Sequence, residues 1–168
     1  SAIKSLQAAA MVRAGLNLND EQLALVCASH GGSNRHQEVA LEILRSAGLS
    51  ESDLQNNPDF PLDRKARIAW SDKKATSLAA NCSGKHAGML ATCAVNGWDV
   101  KTYRDADHPL QLAIAREITE LIGKSIERVS IDGCGAPLFS MSTRSIAVAA
   151  RKMRLDSDPI FARVISAC

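Results

Sequence analysis

Apolar residues recur at intervals of three and four along most of this chain, and glycines interrupt the pattern. Ile3, Leu6 and Ala10 share one helical face and give way to Gly15, which predicts a helix over 1–14. A second helix is expected from Asp20 to Cys27, where Asn19 and Gln22 stand in the reciprocal capping arrangement that satisfies orphan amides. Ser29-His30-Gly31-Gly32 then breaks the periodicity, because two adjacent glycines open backbone conformations closed to other residues. Asn34 and Gln37 repeat the capping spacing ahead of Val39, Ala40, Ile43, Leu44 and Ala47, so a third helix should run to Gly48. The proline- and asparagine-rich run 55–63 predicts an irregular surface crossing, followed by a short helix ending near Trp70.

Beyond Asn81 the small residues of Ser83-Gly84-Lys85-His86-Ala87-Gly88 would let a helix begin close to another backbone and continue to Asn96, with Gly97 as its stop. His108-Pro109 opens the most regular helix, which carries Leu110, Ile114, Leu121 and Ile122 on one side and ends at Gly123. Val129 and Ile131 alternate with polar neighbours in the one convincing strand, which leads into Asp132-Gly133-Cys134-Gly135-Ala136-Pro137. Two more helices are expected, at about 142–153 and 159–168. The last has no cap or stop signal, so the chain is expected to end within an element. No internal repeat or second-domain boundary is visible, and 1–168 reads as a single, partial domain.

Composition narrows the function classes. The 168 residues are 46% hydrophobic and 23% charged, which suits a folded globular chain. The 20 basic residues nearly balance the 18 acids, and they are scattered, so no nucleic-acid partner is expected. No apolar run approaches a membrane span, and the first residues do not form a secretory signal, so no membrane partner is expected. Five widely spaced cysteines fit reduced thiols or metal ligation better than a disulfide framework, which points to a cytoplasmic location.

Three groups of residues have chemical potential. Ser1 and Lys4 are three apart on a helix and can meet, and a desolvated lysine can take a serine's proton. The alternatives are a capping serine beside a solvated lysine, or a Ser1 activated by its own terminal amine. Ser29 and His30 sit at the mouth of a tight loop. As adjacent residues they rarely point correctly for a nucleophile and base, and the plainer reading is a loop serine and a hydrogen-bonded histidine. Cys82, His86 and Cys134 supply thiolate and imidazole donors from two elements, as a zinc site with an open position would require. Equally, the two cysteines can be small buried hydrophobes, as is expected of Cys27 and Cys93. Asp132 reads as a turn residue, or as an orienting carboxylate for a positively charged group.

Together, Ser1-Ala2-Ile3-Lys4, Cys27-Ala28-Ser29-His30, the block from Asn81 to Leu90, His108-Pro109-Leu110-Gln111 and the block from Asp132 to Pro137 resemble the zinc-containing L-asparaginases typified by rhizobial enzymes. The resemblance implies an α+β fold of the serine β-lactamase and penicillin-binding-protein kind, with this chain forming mostly its helical part. It implies hydrolysis of L-asparagine to L-aspartate and ammonia through a serine acyl-enzyme. Ser1 and Lys4 become one Ser-Lys pair. Ser29 matches a second serine, whose lysine partner lies beyond Cys168 in the family. Ser29 is the first choice of nucleophile and Ser1 the second. Zinc is implied at Cys82, Lys85 and Cys134, with His86 moved to a supporting or substrate-contacting role beside His30 and Asp132. A homodimer is implied too, as are family members that extend past both ends of this chain.

Two departures fall on loops: Ser33 stands where the family usually has Glu, and Asn56-Asn57-Pro58-Asp59 where many members have Cys-Gly-x-His. Competing readings are a zinc-stabilised module without turnover and a β-lactamase- or peptidase-like serine hydrolase.

Overall fold

A computed structural model describes residues 2–71 and 73–168. Helices dominate: α1 (Lys4–Arg13), α2 (Asp20–Cys27), α3 (Asn34–Ser46), α4 (Arg64–Trp70), α5 (Ser83–Asn96), α6 (Pro109–Ile122), α7 (Thr143–Leu155) and α8 (Pro159–Ala167). A short 3-10 turn spans Glu51–Asp53, and two antiparallel strands, β1 (Arg128–Ile131) and β2 (Pro137–Ser140), form a hairpin. This is an α+β arrangement.

The alanine-rich α1 forms the centre. Residues Leu6 to Met11 are all buried, and α2, α5, α6 and α8 pack around them. Ala8, Ala9 and Ala10 have little side chain to order and allow neighbouring helices to approach closely. α3 lies against α5, and α7 closes the far side over α6 and α8. Arg13 ties this frame at one end: its guanidinium donates to both carboxylate oxygens of the buried Glu117 on α6 and to Asp158 at the start of α8.

Most helix ends follow local chemistry. The Asn19–Gln22 capping box opens α2 as expected, and Gly97 and Gly123 end α5 and α6 in left-handed conformations. The third helix is capped differently. Ser33, not Asn34, is its cap, and His36 takes the place expected of Gln37, returning its Nδ1 to the Ser33 amide. Gln37 instead donates to the Gly32 carbonyl. Among the described residues, α1 starts at Lys4, so this lysine occupies the first turn of a buried helix.

The hairpin also departs from expectation. β2 was hidden in the sequence because it begins at Pro137 and has no alternating pattern of its own. It nevertheless buries Phe139, while its partner Val129 on β1 is 52% exposed. The 55–63 run is not a free surface crossing either. Asn56 is 1% exposed and donates to the Ser77 carbonyl, Ser77 donates back to the Asn56 carbonyl, and Asp59 pairs with Thr76 through their backbones.

α5 meets α2 at unusually short range. A Cβ at Gly84 would lie 2.6 Å from Leu25 Cγ and 2.7 Å from the Leu25 carbonyl oxygen, and one at Gly88 would lie 2.8 Å from Val26 Cγ2. The first helical turn of α5 therefore rests on backbone that cannot retreat without moving α2. We expect Gly84→Ala to destabilise the fold by about 2–3 kcal/mol, as for an overpacked core. Denaturant unfolding measures this, and unchanged stability would show that the two helices can part freely.

Candidate active site and metal centre

The α2–α5 contact places two loops side by side. After Cys27 the chain turns extended through Ala28 and reaches Ser29, while the segment before α5 brings in Asn81 and Cys82. The His30 amide donates to the Asn81 carbonyl and joins the two segments. Lys4 enters from below. Its Nζ lies 2.6 Å from the Ala28 carbonyl oxygen, 2.9 Å from Ser29 Oγ and 3.5 Å from the Asn81 carbonyl oxygen, with the whole residue 4% exposed. Burial lowers the Lys4 pKa, Lys85 lowers it further, and Cys82, Cys134 and Asp132 oppose the shift.

The amine of Lys4 thus meets Ser29. The expected Ser1–Lys4 pairing involves Ser1, which lies outside the described residues. Ser29 and Lys4 open onto a cavity of about 340 Å³ that is also lined by Asn57, Pro58, Asp59, Asn81, Cys82, Lys85, Asp132, Gly133 and Cys134. Two amines, two carboxylates, a hydroxyl and two thiols in so small a space suit a small zwitterionic ligand. The hairpin turn forms one wall, held by a backbone bond from the Gly135 amide to the Asp132 carbonyl, and Asn57 pins it by donating to the Gly133 carbonyl.

Cys82, His86 and Cys134 are buried and offer donor atoms that all lie within 4.8 Å of one another. Lys85 Nζ, 1% exposed, lies 3.2 Å from Cys134 Sγ and 3.9 Å from Asp132 Oδ2. Cys134 is the better anion of the thiol pair. A hydrogen bond from Cys82 lowers its pKa, burial opposes this, and His86 and Lys85 lower it further, while the same Cys134 interaction followed by burial raises Cys82. His86 Nε2 is buried and has no partner at ordinary hydrogen-bond geometry. A thiolate, a second thiol, a nearby imidazole and an amine form a donor set suited to a soft or borderline divalent cation, so the residues present fit zinc.

Not every expected site residue faces this cavity. His30 is 3% exposed, and its ring is committed: Nδ1 accepts from the Gly32 amide, and Nε2 lies 2.9 Å from Ser83 Oγ. It lines a second cavity of about 460 Å³ with Glu21, Arg35 and His36, and Ser29 also borders that cavity. His86 sits behind the thiols and is fully buried. Sequence reasoning missed Tyr103, whose hydroxyl is 2.8 Å from His86 Nδ1, and Asn57 in the cavity wall. Tyr103 had left one signal, being the single tyrosine of the chain and lying within an otherwise polar stretch.

A family model described as L-asparaginase II matches residues 1–168. The chain belongs to the L-asparaginase II family. This membership supports an L-asparaginase-like function, that of a hydrolase acting on amides. No curated protein matches the chain. Among the described residues of this L-asparaginase II family member, no helix is long and apolar enough to cross a membrane.

His30 carries a measurable consequence. Burial first, then His36 and Lys4, depress its pKa from 6.5 to about 4. Between those values the unfolded chain binds the proton that the folded chain refuses, so stability falls as the pH is lowered from 6.5 to 4. The loss attributable to His30 is about 3 kcal/mol. Thermal unfolding of wild type and His30→Gln across that range should show a shallower slope for the variant, and parallel slopes would exclude His30 as the source.

Proposed function

We propose that the protein is an L-asparaginase in which Ser29 is the nucleophile and Lys4 its base. The observation that carries this reading is the 2.9 Å contact between Lys4 Nζ and Ser29 Oγ. A neutral amine has two N–H bonds and one lone pair. With its hydrogens directed at the Ala28 and Asn81 carbonyls, the lone pair is left for the Ser29 hydroxyl. Burial favours that neutral form.

In the reaction we assign, Ser29 Oγ attacks the side-chain amide carbon of L-asparagine as its proton moves to Lys4 Nζ. Collapse of the tetrahedral species breaks the C–N bond, and Lys4 returns the proton to the departing nitrogen, which leaves as ammonia. Water then cleaves the aspartyl ester on Ser29, with Lys4 accepting its proton and handing it back to Oγ. Asp132 and Asp59 border the same cavity and are the groups suited to the substrate ammonium. Zinc held by Cys82, Lys85 and Cys134 would supply an electrophile or anchoring point within that cavity. The ligand set follows the family resemblance and is supported by the 3.2 Å approach of Lys85 to Cys134.

The finer fold we assign is that of the serine β-lactamases, supported by a lysine in the first turn of a buried helix beside a serine from a neighbouring loop. A homodimer rests on the resemblance alone. A cytoplasmic setting agrees with cysteines that are all free and with a thiolate metal site.

Ammonia release from L-asparagine should fall at least about a thousandfold in both Ser29→Ala and Lys4→Met. Mass spectrometry of protein quenched during turnover should locate the aspartyl group on the peptide containing Ser29, and a group on Ser1 would transfer the nucleophile there. Because Lys4 acts as a base from a depressed pKa, kcat/KM should decline as pH falls through it, with the midpoint below the ordinary lysine value of about 10.4. A rate that rises on acidification would contradict this assignment. Metal analysis should find zinc in the wild type, with Cys82→Ser and Cys134→Ser devoid of it.

A further inference from the structure

We infer that Asn57 is a positioning residue that locks the turn between β1 and β2 and thereby aims the Asp132 carboxylate at the α-ammonium group of the ligand. The identity of the ligand rests on the asparaginase reading above, whereas the latch follows from hydrogen bonds within the chain alone.

The turn is closed by two backbone bonds, from the Gly135 amide to the Asp132 carbonyl and from the Asp132 amide to the Ala136 carbonyl, each 2.8 Å. Gly135 adopts the left-handed conformation, with φ of 83°, that a three-residue hairpin loop of this kind needs. Neither bond touches the peptide between Gly133 and Cys134. That peptide is the central one of the turn, and its reversal converts one turn type into another. A glycine at its first position permits both senses. Asn57 removes that freedom: its Nδ2 donates to the Gly133 carbonyl at 2.7 Å, from a segment 76 positions away.

The same glycine holds the carboxylate. Its amide donates to Asp132 Oδ1 at 2.7 Å. Among the described residues Asp132 Oδ2 makes no hydrogen bond, and Lys85 Nζ at 3.9 Å lies beyond hydrogen-bonding reach. Oδ2 therefore keeps its lone pairs for a cation in the cavity that Asn57, Asp132 and Gly133 line together. Reversal of the central peptide would re-aim the backbone at Gly133, and the carboxylate held by its amide would turn with it.

A latch works only from a fixed post, and Asn57 has one. Its neighbours are pinned before and after it: the Gln55 backbone amide donates to the Tyr103 hydroxyl, Asn56 and Ser77 exchange hydrogen bonds, and Asp59 pairs with Thr76. The Gln55 side chain also accepts from Arg104 Nε at 3.2 Å. The Arg104 guanidinium lies so close to Gly135 that a side chain there would collide with it. The turn is thus buttressed at Gly135 by Arg104 and held at Gly133 by Asn57, and both supports are tied to the segment 55–57.

Hydrogen exchange read by mass spectrometry on the turn peptide covering 132–136 tests the latch without reference to activity. Asn57→Ala, and the isosteric Asn57→Asp, which puts an oxygen in place of the donor, should each speed exchange there about two- to tenfold, as for the loss of one hydrogen bond. Steady-state kinetics with L-asparagine test what the latch does. Asn57→Ala should raise KM about tenfold and leave kcat within about twofold of the wild type, and the rise should vanish when the same change is made in Asp132→Asn. A KM rise of equal size in both backgrounds would mean that Asn57 touches the ligand itself, and would overturn the inference. So would an unchanged KM, or unchanged exchange of the turn in both variants. If the wild type releases no ammonia, the asparaginase reading fails separately, and the exchange measurement alone decides whether Asn57 holds the turn.

Discussion

The backbone of α5 can reach the end of α2 because Gly84 and Gly88 present hydrogen where any other residue would present carbon. The groups carried by these two segments depend on that approach. Ser29 follows directly from α2, while Cys82, Lys85 and His86 lie within the first turns of α5 or just before it. Were the two helices held further apart, Ser29 and Cys82 would be separated with them. Their closeness also explains why Ser83 can meet His30 and why the His30 amide can bond to Asn81.

A buried lysine is costly unless its donors are satisfied, and Lys4 is satisfied from segments distant in sequence. Two of its partners are carbonyls that any residue could supply. The third is a hydroxyl, and a hydroxyl can reverse its role from acceptor to donor when the amine loses a proton. The arrangement is therefore stable in either protonation state, which is the physical requirement for a group that takes and returns a proton. The cluster of Cys82, His86 and Cys134 follows a comparable logic at a different depth. Cys134 comes from a hairpin turn and Cys82 from a helix entry, so a metal bound between them would fasten the hairpin to the helical body.

Polar residues that looked like loop filler turn out to carry the walls of the site. Asn56 and Ser77 exchange hydrogen bonds, Asn57 holds the turn at Gly133, and Gln55 supports Tyr103. A side-chain amide donates to a backbone carbonyl without introducing charge, which is how Asn56 reaches Ser77 and Asn57 reaches Gly133.

Local chemistry determined much of the molecule. Helix periods, the Asn19–Gln22 box and the glycine stops at 97 and 123 act over one or two turns, so they were readable from neighbours in the chain. The small-residue run at Ser83-Gly84-Lys85 also declared a close approach, though not to what. Cys82, His86 and Cys134 could be named as a group from their chemistry. Tertiary structure alone decided that Lys4 meets Ser29 across 25 positions, that Lys85 lies against Cys134 across 49, and that Tyr103 stands behind His86. β2 belongs with these, since it has no pattern of its own and becomes a strand by pairing with β1. Periodicity records which face of an element is apolar, but it holds no record of which buried polar atom will find which partner. That choice is made by the packing of α5 on α2 and by the need of each desolvated donor for an acceptor within reach.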